Sequence, residues 1–234
     1  MSRWVIRLVC CLWVLGMGGC ATKAQSVLQQ SVVKPELKLP EGQGWWYARF
    51  RIHWPEDAQP IWSMDALLAR EVVAPVLAQY RQDIMLWRFH RRAARKGGHL
   101  FSFIFYSSPQ LAEQVYNTIN NDPLLTQLKQ DKRIDSVIFD DLKTITRPGI
   151  ADSSDKSWFG PVQRAWPHFI MGASQMWLNL VDELAQTRDR GQEKTALYRE
   201  VQDQITGIWA QQGQHAWLHH LNALYAYQPL MIRY

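Results

Sequence analysis

Two segments of the chain place basic side chains at every second position, a spacing that brings them to one face of a sheet if each segment is a β-strand. A serine and a tyrosine of a third segment fall on the same face. Because guanidinium groups match the geometry of carboxylates and phosphates, this surface predicts a binding site for an anionic ligand. The candidate ligand-binding residues are Arg49, Arg51, His53, Arg88, His90, Arg92, Ser102 and Tyr106.

Another interpretation assigns these charges no ligand. The arginines would then pair with acidic residues of later helices, such as Asp182 and Glu183, or face water. The dense basic run at 88–96 also has two interpretations, attraction to anionic lipid head groups or solvated charge beside a turn. The sequence leaves these alternatives open.

Histidines near the arginines suggest a second class of function. An envelope enzyme would use His53, His90 or His99 as an acid or base, and this requires a pocket that holds at least two of them with a carboxylate. The chain contains no GxSxG, Walker or GxGxxG motif, so no motif supports catalysis. We therefore predict no catalytic residue.

A third histidine pattern occurs near the end of the chain. His215 and His219 have the i, i+4 spacing of two metal ligands on a helix. No neighbouring carboxylate or cysteine completes a motif such as HExxH, and a position facing solvent explains both residues. We predict no metal site and no cofactor.

The beginning of the chain has the layout of a secretory signal. Arg3 and Arg7 stand before an apolar run at 8–15, which is shorter than the roughly 20 residues of a membrane-spanning helix. The segment Met17-Gly18-Gly19-Cys20 then resembles the bacterial lipobox. The resemblance implies cleavage after residue 19 and a lipid on Cys20. With Ala21 next, it further implies an outer-membrane lipoprotein that faces the periplasm, in preference to the inner membrane.

Cysteine usage and charge agree with export. Cys10 and Cys11 leave with the predicted signal at 1–19, so the mature protein has no pair of thiols for a disulfide. The formal net charge is +5; a basic, aromatic sheet is also typical of RNA-binding folds, but an exported protein meets no nucleic acid. Residues 20–44 contain no aromatic side chain and are predicted to form a flexible tether.

The region 45–142 alternates between strand and helix patterns. Their order is strand, helix, strand, strand, helix, strand, which predicts a ferredoxin-like α+β fold. Proline, glycine and serine at 143–164 predict a linker or a long surface loop. Three apolar stripes at helical spacing within 165–234 predict a C-terminal bundle of about three helices.

Several short motifs follow the order found in one protein family. Over about Trp45 to Leu184 the chain resembles the C-terminal elimination domain of lantibiotic dehydratases, also called the thiopeptide-type bacteriocin biosynthesis domain. The motifs that carry the resemblance are Trp46-Tyr47-Ala48-Arg49, Leu86-Trp87-Arg88-Phe89, Gly97-Gly98-His99-Leu100 and Gln175-Met176-Trp177-Leu178-Asn179.

The residues that this family uses for elimination are missing from the chain. Phe101 and Phe103 stand where the family has strand arginines, while Gln175 and Leu180 replace a histidine and an arginine of its helix. The family also uses cytoplasmic glutamyl-tRNA, which an exported protein does not meet. The resemblance therefore implies a non-catalytic relative that keeps the scaffold.

These observations together predict a membrane-anchored periplasmic lipoprotein whose domain binds a partner protein or an anionic ligand without catalysis. The alternatives are the envelope enzyme and the non-catalytic relative of the dehydratase domain. A further alternative is a structural component whose exposed tryptophans dock onto a protein complex, which requires a contiguous apolar patch.

Overall fold

The computed structural model describes residues 42–229. The predicted signal at 1–19, Cys20 and most of the predicted tether at 20–44 lie outside the described residues. The first strand begins at Gly44, which is the last residue of the predicted tether. The residues that can be described belong to one compact unit of the chain.

Four strands form one antiparallel sheet. They are β1 (Gly44–Ile52), β2 (Leu86–Ala94), β3 (Gly98–Ser107) and β4 (Ile134–Phe139), and they lie in the order β2-β3-β1-β4. The helix α1, which occupies 62–79, connects β1 to β2, and the helices α2 (Pro109–Asn120) and α3 (Pro123–Gln130) connect β3 to β4. This strand order and these connections are those of the ferredoxin-like split βαβ arrangement, so the predicted α+β fold is confirmed.

Local signals start two of these helices. The Ser108 hydroxyl accepts a hydrogen bond from the Leu111 N–H at 3.2 Å, and the Asp122 carboxylate accepts one from the Leu125 N–H at 2.8 Å. Each cap is followed by a proline in the first turn, where the missing N–H costs nothing.

The helix α1 is continuous but not uniformly α-helical. It consists of Trp62–Leu67, a π-helical stretch Leu68–Val73, and Ala74–Gln79. Pro75 is the second residue after the π-helical stretch, and a proline inside a helix removes one backbone donor and clashes with the preceding turn. The wider π-helical turn is where the helix accommodates this proline.

The core lies between the helices and one face of the sheet. The apolar residues that alternate with the basic ones in the sequence point to this face, among them the fully buried Ala48, Phe50, Phe101 and Phe103. The rings of Phe103 and Phe105 stack with their centroids 4.9 Å apart. Burying this apolar face fixes the register of the strands and sends the basic residues to the opposite face.

The C-terminal region is helical, as predicted, but it begins at Gly160 and not at 165. The helix α4 spans Gly160–Arg188, and α5 spans Lys194–Gly213. A π-helical stretch, Gln214–His219, and a last turn, His220–Leu224, continue α5 without a break, so the second and third predicted helices are one rod. No helix between residues 42 and 229 is long and apolar enough to cross a membrane.

The helix α4 lies along the outer edge of β2. The Phe89 N–H, which points away from the sheet, donates to the Ser174 hydroxyl at 3.1 Å, and this hydroxyl donates to the Ile170 carbonyl at 2.7 Å. The ring of Trp177 meets that of Phe89 edge to face, with centroids 5.6 Å apart. The edge strand is thus held by a side-chain hydrogen bond and by aromatic packing.

Candidate functional site

The register of the sheet brings the predicted basic rows together. Arg49 stands opposite Ser102, which in turn stands opposite His90, and in the next row Arg51 and Arg92 flank Leu100. We call the surface of the sheet that faces away from the core the basic face. Seven of the eight candidate residues lie on strands with their side chains on this face, and His53 directly follows β1.

A segment after β4 covers one part of the basic face. We call residues 140–154 the covering segment; it includes a 3₁₀-helix, Ile150–Ser153. Its Asp140 carboxylate accepts from Arg49 at 2.9 Å and also binds Arg147. The Tyr106 hydroxyl donates to the Pro148 carbonyl at 2.6 Å. The stretch at 143–164, predicted as a linker or surface loop, lies before α4 over most of its length. These contacts show that its first part packs on the sheet.

Tyr47 lies between two of these cations. The guanidinium carbons of Arg49 and Arg147 lie 4.5 and 4.0 Å from the centroid of its ring. The Tyr47 N–H also donates to Asp140, at 3.1 Å. The expectation that acids of the C-terminal helices neutralise the basic face is wrong for Asp182, whose carboxylate accepts from Arg70 at 2.8 Å.

His53 is separated from the other basic residues at the end of β1. Its Nδ1 lies 3.0 Å from Asp135 Oδ1, and both side chains are about half exposed. At this exposure the pair contributes little to stability. His53 is therefore at the border of the candidate site.

The rest of the basic face is open. Arg51, His90 and Arg92 make no hydrogen bond or ion pair with other described side chains or carbonyls. Arg51 lies above the β2–β3 turn, where a Cβ on Gly98 would stand 2.8 Å from its Nη1. Burial lowers the pKa of His90, and the charges of Arg88 and Arg92 lower it further. These residues form a surface whose charge is not balanced by carboxylates of the described chain.

Arg88 is a partly enclosed cation of the basic face. Its Nη2 donates to the Ser153 carbonyl at 3.2 Å, but its Nε is closed to water and has no hydrogen-bond partner. Burial lowers the pKa of Arg88, which reflects the cost of holding a charge in this position. No carboxylate of the described residues forms an ion pair with it.

A cleft of about 520 Å³ opens beside Arg88 and His90. We call it the tryptophan cleft because Trp158, Trp166 and Trp177 line it. Trp158 and Trp166 meet edge to face with centroids 4.9 Å apart. The Gln163 amide of α4 donates to the Trp158 carbonyl at 2.6 Å and so holds the residues between the covering segment and α4 against this helix. No local pattern in the sequence predicts this cleft, because its walls come from segments distant in the chain.

The histidines do not form the pocket that an enzyme would need. His99 is on the core face, and His90 is on the basic face. His99 is fully buried with Asp65, whose carboxylate also accepts from Arg91 Nε at 2.9 Å. Of the three candidates, His90 lines the tryptophan cleft, whereas His99 is shielded from it in the core. His90 and His99 therefore do not meet in one pocket.

The C-terminal histidines are exposed on the π-helical end of α5. The ring centroids of His215 and His219 lie 5.5 Å apart, and the rings are nearly parallel. In the part of the chain that the structure describes, no group of three or more histidine, cysteine or acidic residues has the arrangement of a metal site.

The sheet order and its helices place the described residues in the class of α+β domains with ferredoxin-like topology. Among solved structures, the crystal structure of TsrL is similar, with a TM-score of 0.39 and 16% sequence identity. The similarity covers 68% of this chain and 38% of the TsrL chain. No family model and no curated protein matches the chain.

Proposed function

We propose that this protein is a non-catalytic binding domain, held at the membrane by a lipid on Cys20, that takes an anionic ligand or the anionic surface of a partner protein on its basic face. The lipobox-like sequence at 17–20 supports the anchor and the periplasmic side of the outer membrane. The open part of the basic face supports the ligand.

One observation carries the proposal. Arg51, Arg88 and Arg92 lie on one face of the sheet, and none of them forms an ion pair with a described carboxylate, whereas Arg49 on the same face has Asp140. Arg88 is partly buried, and a partly buried cation without a carboxylate is costly; an anionic group that binds there relieves this cost. His90 lies between Arg88 and Arg92 on the same face of β2 and can donate to the same anion.

Titration calorimetry with citrate and with sulfate tests the proposal. We expect binding to the wild-type protein, and a loss of at least about tenfold in affinity for the double variant Arg51→Glu/Arg92→Glu, since hydrogen bonds to charged groups contribute about 1.5–3 kcal/mol each. The matched control is Arg190→Glu/Arg199→Glu, which makes the same change in net charge at exposed positions of the C-terminal region. Equal losses in both double variants, or no binding to the wild type, would overturn the proposal.

The relationship to the dehydratase elimination domain is a second proposal, limited to the scaffold. Phe101 and Phe103, which replace the family's arginines, are fully buried in the core. Gln175, at the position of the family's histidine, donates to Asn179 at 2.7 Å on the exposed side of α4. These positions offer no acid or base, which is why the proposed function involves binding and no elimination chemistry.

A further inference from the structure

The tryptophan cleft has the size and the walls of a small-molecule site. Its volume of about 520 Å³ falls within the range of clefts that hold ligands of drug size. The indole rings of Trp158, Trp166 and Trp177 line it, and Ile170 and Ala173 of α4 add further apolar surface. Such walls bind a flat or cyclic apolar group.

Three buried polar atoms beside the cleft have no hydrogen-bond acceptor among the described residues. Arg88 Nε, Ser153 Oγ and Trp177 Nε1 belong to side chains that line the cleft, and each is buried without a hydrogen-bond partner among the described residues. The first and last of these atoms are donors only, and a hydroxyl can donate. These three atoms are closed to solvent, so the cation that the cleft offers a ligand is the remainder of the Arg88 guanidinium, which has no carboxylate partner among the described residues and favours a ligand that brings an acceptor.

The polar groups of the cleft make two other kinds of ligand, a neutral sugar and a small inorganic anion, less suitable. A neutral sugar presents hydroxyl donors as well as acceptors and needs acceptors in its site. The carboxylate that lines the cleft is that of Asp155, at its exposed rim; Oδ1 accepts from the Ser157 N–H at 2.8 Å and the Ser157 hydroxyl at 2.7 Å, which leaves one carboxylate oxygen for the several hydroxyls of a sugar. A small inorganic anion would form an ion pair with Arg88 but would bury none of the apolar surface of the three indole rings.

We infer that the tryptophan cleft binds an aromatic carboxylate, as a free acid or as the C-terminal residue of a peptide. Its carboxylate lies on the guanidinium of Arg88, and its ring packs among the three tryptophans. The inference rests on the proposed function, because Arg88 belongs to the basic face, and it names the ligand class for that end of the site. His90, on the rim of the cleft, faces the same carboxylate.

Tryptophan fluorescence and calorimetry on the purified full-length protein test this inference. The probes are indole-3-acetate, the peptide Gly-Gly-Phe, the C-terminal amide of that peptide, and acetate. We expect indole-3-acetate or Gly-Gly-Phe to bind at least about tenfold more tightly than acetate, and the amide to lose at least about tenfold relative to the free peptide, because Arg88 then meets no charge. The stronger of the first two probes identifies the source of the carboxylate.

Two pairs of variants connect the binding to this cleft. Arg88→Gln should weaken binding of the aromatic acid by about tenfold or more because it removes the cation, and Trp177→Phe should weaken it because it removes part of the indole wall. The exposed Arg199→Gln and Trp209→Phe are matched controls and should not change its affinity. The comparison of the peptide with its amide needs no variant and stands even if Arg88→Gln does not fold.

The possible results separate this inference from the proposed function. Binding of sulfate and citrate that depends on Arg51 and Arg92, with aromatic acids no tighter than acetate, overturns the inference and leaves the proposed function standing. Equal affinity for the peptide and its amide also overturns it, since the cleft would then select the ring alone. Absence of binding for every anion overturns both.

Discussion

His99 Nε2 lies 3.1 Å from Asp65 Oδ1, and both side chains are fully shielded from water. Oδ2 of that carboxylate lies 3.3 Å from the same His99 nitrogen and accepts from Arg91 Nε, and Arg91 also donates to the Trp62 carbonyl and to the amide oxygen of Gln202. One carboxylate therefore joins the start of α1, the end of the β2–β3 hairpin and, through Arg91, helix α5. A buried ion pair is sensitive to substitution. Removing the Asp65 carboxylate leaves Arg91 without a counter-charge, and removing Arg91 leaves the carboxylate without one.

We expect Asp65→Asn to lower the free energy of unfolding by about 3 kcal/mol, at the low end for a broken buried ion pair because Arg91 keeps some exposure. Urea unfolding followed by circular dichroism measures the change. Asp203→Asn, an exposed acid on α5, is the matched control and should stay within about 0.5 kcal/mol of the wild type. An unchanged urea midpoint in Asp65→Asn would show that Arg91 and His99 are satisfied without this charge.

Asp140→Asn should loosen the covering segment. The change removes the charge shared by Arg49 and Arg147, so two neighbouring cations repel each other, and we expect a loss of about 2 kcal/mol. Hydrogen exchange should accelerate most in the amides of 145–154. The adjacent exposed Asp141→Asn is the control. Uniform acceleration over the whole sheet, in place of a local effect, would contradict this role.

The affinity for sulfate should depend on pH through His90. Burial, Arg88 and Arg92 lower the pKa of His90, so its imidazole is neutral at about pH 7.5 and gains its charge only below its ordinary pKa of about 6.5. Sulfate affinity should therefore rise as the pH falls to about 5.5, and His90→Gln should lose most of that rise. His219→Gln, an exposed histidine of α5, should keep it; a rise that survives in His90→Gln would assign the effect to another group.

Two glycine substitutions should change stability in opposite directions. Gly98 has a φ of +76°, and a Cβ there would also crowd Arg51, so Gly98→Ala should cost about 1–2 kcal/mol. Gly172 is on the exposed side of α4 with nothing within 4 Å of an added Cβ, so Gly172→Ala should gain about 0.5–1 kcal/mol. Thermal unfolding gives both signs, and a stabilised Gly98→Ala would mean that the hairpin turn can change its conformation.

The faces of the sheet could be predicted because their pattern is local. The alternation of Ala48 and Phe50 with Arg49 and Arg51 assigns each side chain to a face whatever the partner strand is. The caps at Ser108 and Asp122 are local in the same way. For this reason the α+β fold and its strand order were accessible from the sequence.

The partners of the basic residues could not be predicted, because they depend on contacts between distant segments. Asp140 reaches Arg49 across 91 positions of the chain, and Arg88 reaches Ser153 across 65. The proline, glycine and serine content of 143–164 is the same in a free loop and in a segment packed on a sheet. Trp158 therefore gave no sign of lining a cleft.

The hydrogen bond from Phe89 to Ser174 also limits how the sheet can associate with other chains. The Phe89 N–H, which points outward from β2, already donates to Ser174, and α4 occupies the position that an additional strand would take. Within residues 42–229, β4 is the strand at the other end of the sheet, and no further strand pairs with it. Growth by strand addition is thus possible at one end only. Two copies could join through β4 to make a closed pair, and that pair would offer no open edge for an extended fibre.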